Sequence, residues 1–204
     1  MESKTHWENI YRTKDVTAVS WFQEHAAQSV ELIKKTGLSL EARIIDVGGG
    51  ASILVDDLLD EGFSHVSVFD ISGAALQRSQ ERLGVRALLV HWLEADITQA
   101  ELEPNFYDVW HDRAVFHFLT SETHRATYVR AVLRSVKPGG HIIVASFGME
   151  GPEKCSGLNV VRYSGESMHD EFGDDFELIG ATTELHHTPF GTDQQFIYCY
   201  CRKT

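Results

Sequence analysis

The sequence predicts a single α/β domain built on a mostly parallel β-sheet with helices on both faces. Over residues 43–147, short apolar segments of strand length alternate with segments of helical periodicity. Such alternation is typical of a doubly wound parallel sheet. The last two apolar segments, 176–185 and 195–201, follow each other without a helix between them. They predict a hairpin at one sheet edge and hence one antiparallel strand.

The N-terminal segment is predicted to be helical. Trp7 and Tyr11 are four residues apart and therefore share one face of a helix. Apolar residues recur at helical spacing from Ser20 to about Lys35, and Gly37 is placed to end that helix. We expect residues 1–36 to form a helical lid over the cofactor-binding core.

The core and the C-terminal part supply the remaining elements. Core strands are expected at 43–47, 66–70, 87–92, 106–111 and 141–147. Helices are expected at 52–61, 73–83, 122–136 and 165–172, with Ser72 as the N-cap of the second and a structural turn at 137–140. Residues 148–204 then contain a substrate loop, the short last helix and the hairpin.

Composition excludes several classes of protein. The 204 residues are 43% hydrophobic and 24% charged, which is typical of one globular domain. With 18 basic and 30 acidic residues the net charge is −12, which disfavours a nucleic-acid partner. The three cysteines are too few and odd in number for a disulfide framework. No apolar run is long enough to span a membrane. We expect a soluble cytoplasmic protein, a monomer or weak dimer, without a membrane partner.

A glycine-rich turn directly follows the first strand, where Asp46 and Val47 lead into Gly48, Gly49 and Gly50. Ligands in doubly wound folds bind beyond the carboxyl ends of the strands, and glycine lets backbone approach them closely. A purely structural turn is the alternative. A dinucleotide fingerprint requires a third glycine where residue 53 is isoleucine, so a different adenosine-bearing ligand is favoured over nicotinamide or flavin.

Carboxylates also stand at the ends of the next two strands. Asp70 follows Asp46 by 24 residues and is placed to accept hydrogen bonds from both hydroxyls of a ribose. Asp96 is placed to accept from an adenine amino group, with Ile97 on the ring face; its alternative role is to cap a helical turn. Acids at the ends of three successive strands indicate one site.

In this order and spacing, the segments resemble the class I S-adenosylmethionine-dependent methyltransferases. The resemblance spans about residues 43–147 and rests on segments 44–50, 68–72, 94–97, 107–110 and 136–140. It implies a seven-stranded Rossmann-like sheet with the last strand antiparallel, and S-adenosyl-L-methionine as cofactor, with S-adenosyl-L-homocysteine as product. The implied cofactor contacts are Asp46 at the glycine loop or the amino group, Gly48, Gly49 and Gly50 beside the methionyl and ribose parts, Asp70 and Ile71 at the ribose, and Asp96 and Ile97 at the adenine.

The N-terminal part is similar to a subgroup that contains elongation-factor lysine methyltransferases and small-molecule methyltransferases. This similarity rests on residues 7–11 and 20–22. It implies that Trp7, Tyr11 and Trp21 contact the cofactor. The alternative is that these rings only attach the N-terminal helix to the core.

The end of the fourth strand is where this family places its chemistry. The resemblance makes Asp112 a cofactor neighbour, and Arg113 either a ligand for an anionic substrate or an ion-pair partner of Asp112. Lysine-modifying members carry Lys-Gly at this point, whereas thiopurine-type small-molecule members carry Asp-Arg as here. If the acceptor needs a general base, His111, Asp112 and His117 are the catalytic candidates, although either histidine has a structural alternative.

The segment after the fifth strand is expected to cover the substrate. Loop 151–158 and Tyr163 are predicted to roof the pocket, with Cys155 in contact with a soft acceptor. His186 and His187 are adjacent on a strand and point to opposite faces, so we expect no metal site.

The sequence therefore predicts methyl transfer from S-adenosylmethionine to a small-molecule acceptor. Protein lysine methylation is one alternative, and a non-catalytic nucleotide- or partner-binding domain is another. A pocket for a small acceptor should be enclosed by residues 1–22 and 148–163, whereas a lysine methyltransferase needs a narrow open channel.

Overall fold

The computed structural model describes residues 2–204, so Met1 of the expected lid lies outside the described residues. Its strands are β1 (Arg43–Val47), β2 (His65–Asp70), β3 (Val90–Glu94), β4 (Tyr107–Arg113), β5 (Val136–Phe147), β6 (Lys154–Cys155), β7 (Leu158–Asn159), β8 (Phe176–His187) and β9 (Asp193–Lys203). Its α-helices are α1 (Glu2–Thr13), α2 (Ala27–Lys35), α3 (Leu54–Asp60), α4 (Gly73–Leu83), α5 (Glu122–Ser135) and α6 (Gly165–Phe172). Three 3₁₀ segments span Val16–Ala18, Gly84–Leu89 and Phe116–Phe118.

Seven strands form the central sheet, in the order β3-β2-β1-β4-β5-β9-β8, while β6 and β7 form a small separate hairpin. Strand β9 is antiparallel to both β5 and β8, and the other pairs are parallel. The expected fold class, with a terminal hairpin and the last strand antiparallel, is confirmed. The chain leaves β1 in one direction and returns to its other side at β4, and ligands bind at such a switch point.

Helices cover both faces of the sheet because its strands are apolar on both sides. One core contains Ile44, Val68, Val109 and Ile143 from the strands, with Ile33, Leu58 and Leu76 from α2, α3 and α4. The other contains Ile45, Phe69, Trp110 and Ile142, with Tyr128, Val132, Met168 and Phe172 from α5 and α6. Successive strand residues thus alternate between the two cores.

Three element boundaries differ from the expectation by more than two residues. Helix α2 begins at Ala27 rather than near Ser20, because the Asp57 carboxylate accepts from the Ala26 backbone N–H at 2.7 Å and the preceding residues line a cavity instead. Strand β3 begins at Val90, since residues 84–89 form a 3₁₀ segment. Residues 137–140 belong to β5, where the pairing with β4 shifts register.

The helices expected at 73–83 and 165–172 are confirmed as α4 and α6. Ser72 caps α4 by accepting from the Ala75 N–H at 3.2 Å. Across residues 2–204, helices are too short or too polar to cross a bilayer.

Candidate active site

Two adjoining cavities lie at the carboxyl ends of the parallel strands. The first has a volume of about 130 Å³ and the second of about 360 Å³. Tyr11, Trp21, Gly48 and Arg113 line both. These four residues therefore separate two parts of one site.

One end of the first cavity is acidic. Asp70 and Ile71 reach it from the end of β2, and Asp96 and Ile97 from the end of β3. Burial of the Asp70 carboxyl raises its pKa to about 7, although Oδ1 accepts from the Ser72 N–H at 2.8 Å. The structure therefore brings together four of the residues predicted to hold a nucleoside.

Asp96 caps a turn and also lines the first cavity. Its Oδ1 accepts from the backbone N–H of Thr98 at 2.9 Å and from the Thr98 hydroxyl at 2.7 Å, which caps a turn. The same residue lines the cavity. Capping thus fixes the carboxylate at the cavity wall.

The glycine loop has no room for side chains. A Cβ on Gly49 would lie 2.3 Å from Asp46 Oδ2, and one on Gly50 would lie 2.5 Å from Asp70 Oδ2. Gly48 has φ +75°, which disfavours other residues, and a Cβ there would strike Val115. Each glycine is therefore required because a carboxylate or a neighbouring chain packs directly against the backbone.

The other end of the first cavity is aromatic. The ring centroid of Trp7 lies 5.1 Å from that of Phe118 and 5.8 Å from that of Trp21. The ring centroid of Tyr11 lies 6.4 Å from that of Trp21. Cys155 joins these rings, and burial raises the pKa of its thiol to about 12. This end therefore offers ring faces and a protonated thiol.

Helix α1 closes the aromatic end because polar contacts attach it to α4. Glu8 Oε1 accepts from the Ser72 hydroxyl at 3.1 Å and from the Ala74 N–H at 3.2 Å. The Arg78 guanidinium donates to the Tyr11 carbonyl at 3.4 Å. Trp7 and Tyr11 thus line the cavity and belong to a helix that is attached to the core.

Arg113 lines both cavities, but its charge is already paired. Its guanidinium lies 3.3 Å from Glu184 Oε2, donates to the Tyr198 hydroxyl at 3.1 Å and stacks 4.0 Å from the Phe196 ring centroid. The expected pairing with Asp112 is wrong, because successive residues of β4 point to opposite faces. An anionic substrate would have to compete with Glu184.

Asp112 lies outside both cavities, which corrects its expected place beside the cofactor and among the catalytic residues. It is fully buried, and its carboxylate accepts from the N–H groups of Val115 and Phe116 and, at 2.6 Å, from the Tyr128 hydroxyl. Burial raises its pKa to about 6. The bonds from Val115 and Phe116 show that Asp112 stabilises the turn that follows β4.

His117 lines neither cavity, contrary to its candidacy as a base, although the neighbouring Phe118 lines the first one. Its ring is fully buried against Phe118 and Phe147. Neither ring nitrogen has a hydrogen-bond partner among residues 2–204. Burial lowers its pKa to about 3, so the ring is neutral at pH 7.

His111 lines the second cavity, with both ring nitrogens bonded. Nδ1 lies 2.7 Å from Asp46 Oδ1, and Nε2 lies 2.9 Å from the Ser29 hydroxyl oxygen. Ser29 was missed by the sequence analysis because a serine within a helix carries no motif. Phe118 was missed as well, although it adjoins the segment singled out for chemistry.

Tyr163 lines neither cavity. It is buried, with its ring 5.6 Å from Phe116 and its hydroxyl 3.3 Å from Glu171. From the expected roof, Cys155 alone lines the first cavity. As for metals, the described part of the chain contains no cluster of three or more His, Cys, Asp or Glu side chains arranged to hold an ion.

A family model described as a methyltransferase domain matches residues 45–144. The EEF1A lysine methyltransferase 2 of Danio rerio is 27% identical over 161 residues, covering 71% of this chain and 68% of that protein. The eEF1A lysine and N-terminal methyltransferase of Mus musculus is 24% identical over 141 residues, covering 69% of this chain. The match spans only 20% of the mouse protein's length.

Solved structures share the fold at low sequence identity. The structure described as "Conversion of a Disulfide Bond into a Thioacetal Group during Echinomycin Biosynthesis" has a TM-score of 0.81 and 16% identity, covering 98% of this chain and 92% of that one. The Burkholderia thailandensis 1,6-didemethyltoxoflavin-N1-methyltransferase, solved with 1,6-didemethyltoxoflavin and S-adenosylhomocysteine, has a TM-score of 0.68 and 15% identity, covering 100% and 84%.

Proposed function

We propose that this chain, a class I S-adenosylmethionine-dependent methyltransferase, transfers the methyl group to a small-molecule acceptor. The observation that carries the proposal is the lining of the first cavity. Its acidic end suits a nucleoside, and its aromatic end is lined by Trp7, Tyr11, Trp21 and Cys155. Lining by residues of the N-terminal part and by Cys155 of the 148–163 segment favours a small acceptor.

The residues of the site fit the cofactor. Asp70 would accept from the ribose hydroxyls, and Asp96 from the adenine amino group. Asp46 Oδ2 is buried without a partner among the described residues and would accept from the amino group. The side-chain-free loop leaves room for the cofactor beside these carboxylates. When bound, S-adenosylmethionine supplies a methyl group that its sulfonium already activates.

The protein's own contribution is alignment rather than proton transfer. The aromatic rings pack the acceptor against the methyl donor, and such positioning accelerates transfer between two bound reactants. His111, with both nitrogens bonded, faces the second cavity, while Asp112 and His117 reach neither cavity. We therefore propose an acceptor that presents a free lone pair itself, such as a soft thiolate or a neutral ring nitrogen.

Protein lysine methylation is the second candidate, and the two relatives with that printed activity favour it. A lysine side chain in the first cavity would contact Ser3, Trp7 and Tyr11 of α1, which line it. Hydrogen bonds through Glu8 and Arg78 hold α1 in this position, which favours a small acceptor.

The test uses S-adenosylmethionine labelled in its methyl group and an extract of the source cells, separated by ultrafiltration into small molecules and proteins. The proposal expects label in an extractable product of the small-molecule fraction, and none with Asp70→Ala. Label on protein lysines alone would replace it with the second candidate. Calorimetry with S-adenosylhomocysteine, with NAD as control, checks the cofactor independently; failure to bind the former would overturn both candidates.

Three broader expectations also remain proposals. We propose that the chain acts in a reducing compartment, the cytoplasm, in keeping with its three free cysteines. We propose a monomer or weak dimer without a nucleic-acid partner, in keeping with its net charge of −12. Finally, we propose one domain divided into lid, core and C-terminal part as described above.

A further inference from the structure

Three side chains from separate elements form a buried chain of hydrogen bonds beside the glycine loop. His111 of β4 is the central residue of the three. It contacts Asp46 of β1 through one ring nitrogen and Ser29 of α2 through the other. Asp46 and His111 are each 2% exposed and Ser29 is 1% exposed. All three line the second cavity.

The hydrogen bonds fix the orientation of the ring. A carboxylate oxygen only accepts, so His111 Nδ1–H donates to Asp46 Oδ1. On the other side of the ring, Nε2 shares a hydrogen bond with the Ser29 hydroxyl. The imidazole is thus held at both ends, and it fixes the rotation of the Asp46 carboxylate.

That rotation leaves Asp46 Oδ2 buried and without a partner among the described residues. An unpaired buried acceptor is costly, and more so when it is charged. Gly49 removes the one side chain that would cover this oxygen, since a Cβ there would lie 2.3 Å away. A donor from a ligand in the second cavity would satisfy it.

The charges around the second cavity define that donor. Arg82 is paired with Asp56 at 2.6 Å and Arg113 with Glu184 at 3.3 Å. Both arginines that line the second cavity are therefore paired with carboxylates other than Asp46, and a primary ammonium is a donor that matches the geometry of Asp46 Oδ2.

We propose that His111 and Ser29 are positioning residues that hold Asp46 Oδ2 toward a primary ammonium, which makes the second cavity selective for the aminoacyl end of the methyl donor. The inference rests on the proposed function and extends it to two residues without an assigned role. It predicts that the chain distinguishes ligands with and without the aminoacyl group.

The experiment compares calorimetric affinities for S-adenosylhomocysteine and for 5′-methylthioadenosine, which has the same nucleoside but no aminoacyl end. His111→Leu should weaken S-adenosylhomocysteine binding on the order of tenfold and leave methylthioadenosine binding unchanged, since only the first carries the ammonium. His111→Asn retains an N–H for Asp46 and should restore most of the affinity. Ser29→Ala should give a smaller loss, again for S-adenosylhomocysteine alone.

Thr127→Ala serves as the control, because its exposed hydroxyl on α5 bonds to the Thr123 carbonyl and the residue lines neither cavity. Equal loss of both ligands in the His111 and Ser29 variants would mark a purely structural role and overturn the inference. Equal affinity of the wild type for the two ligands would also overturn the inference. Neither of these results would contradict the proposed methyl transfer. A wild type that binds neither ligand would overturn the proposed function as well. If His111→Leu fails to fold, the Ser29 variant and the wild-type comparison still decide.

Discussion

The Tyr128 hydroxyl donates a 2.6 Å hydrogen bond to Oδ2 of Asp112, and both residues are fully buried. The same hydroxyl accepts from the Trp110 indole N–H at 2.8 Å. These bonds connect α5 to β4 on the side of the sheet opposite to His111. The Asp-Arg pair at the end of β4 therefore consists of a structural aspartate and a cavity-lining arginine.

Tyr128→Phe should destabilise the protein by about 2–4 kcal/mol, because it leaves a buried indole N–H and a buried carboxylate oxygen each short of a partner. Urea unfolding of the ligand-free protein measures this loss. Tyr163→Phe is the matched control, since that hydroxyl makes only a 3.3 Å contact with Glu171. Equal losses in the two variants would contradict the role assigned to Tyr128.

His117→Met should stabilise the protein increasingly as the pH falls. The folded-state pKa of His117, about 3, lies below its ordinary value of 6.5, so the unfolded chain binds a proton that the folded one excludes. Wild-type stability is thus lost as pH drops from 6.5 toward 3. At pH 5 the variant should gain about 2 kcal/mol relative to its difference at pH 8.

Urea unfolding at both pH values measures that gain, and methyl-transfer activity at pH 8 should be retained. A variant that folds as stably as the wild type but has lost turnover would return His117 to the catalytic candidates. If the difference in stability between His117→Met and the wild type does not depend on pH, His117 is not buried in its neutral form.

Affinity for S-adenosylhomocysteine should rise with pH through neutrality. Burial raises the pKa of Asp70 to about 7, so the carboxylate that accepts from the ribose is mostly protonated at pH 6 and mostly ionised at pH 8. If only the ionised form binds, affinity should increase up to about tenfold over this range. Calorimetry at a series of pH values measures this affinity. Asp70→Asn should bind S-adenosylhomocysteine weakly, and its affinity should depend less on pH. A wild-type affinity that does not change with pH would contradict the role assigned to Asp70.

Gly49→Ala should lower S-adenosylhomocysteine affinity by at least about tenfold and reduce the melting temperature, because its Cβ would lie 2.3 Å from Asp46 Oδ2 and 3.0 Å from Val68. Gly180→Ala is the control, since a Cβ there meets nothing within 4 Å. Calorimetry and thermal unfolding should separate the two variants; a tolerated Gly49→Ala would mean that the loop is only a turn.

Local pattern predicted much of the fold, including the limits of α4 and α6 and the side of the sheet on which the site lies. It failed where burial competed with periodicity. Residues 20–26 have helical spacing, but most of them line the second cavity, and the apolar residues of 84–89 form an exposed 3₁₀ segment ahead of β3. Propensity is a weak prior at such boundaries, because tertiary contacts override it.

The sequence by itself determined the sheet, the glycine loop and the three acids at successive strand ends, because parallel strands bring their carboxyl ends to one edge. Only the tertiary structure decided which side chains meet there. Ser29 reaches His111 across 82 positions of sequence, and Arg113 reaches Glu184 across 71. Such pairings depend on how separate elements pack against the sheet, and no local spacing encodes that packing.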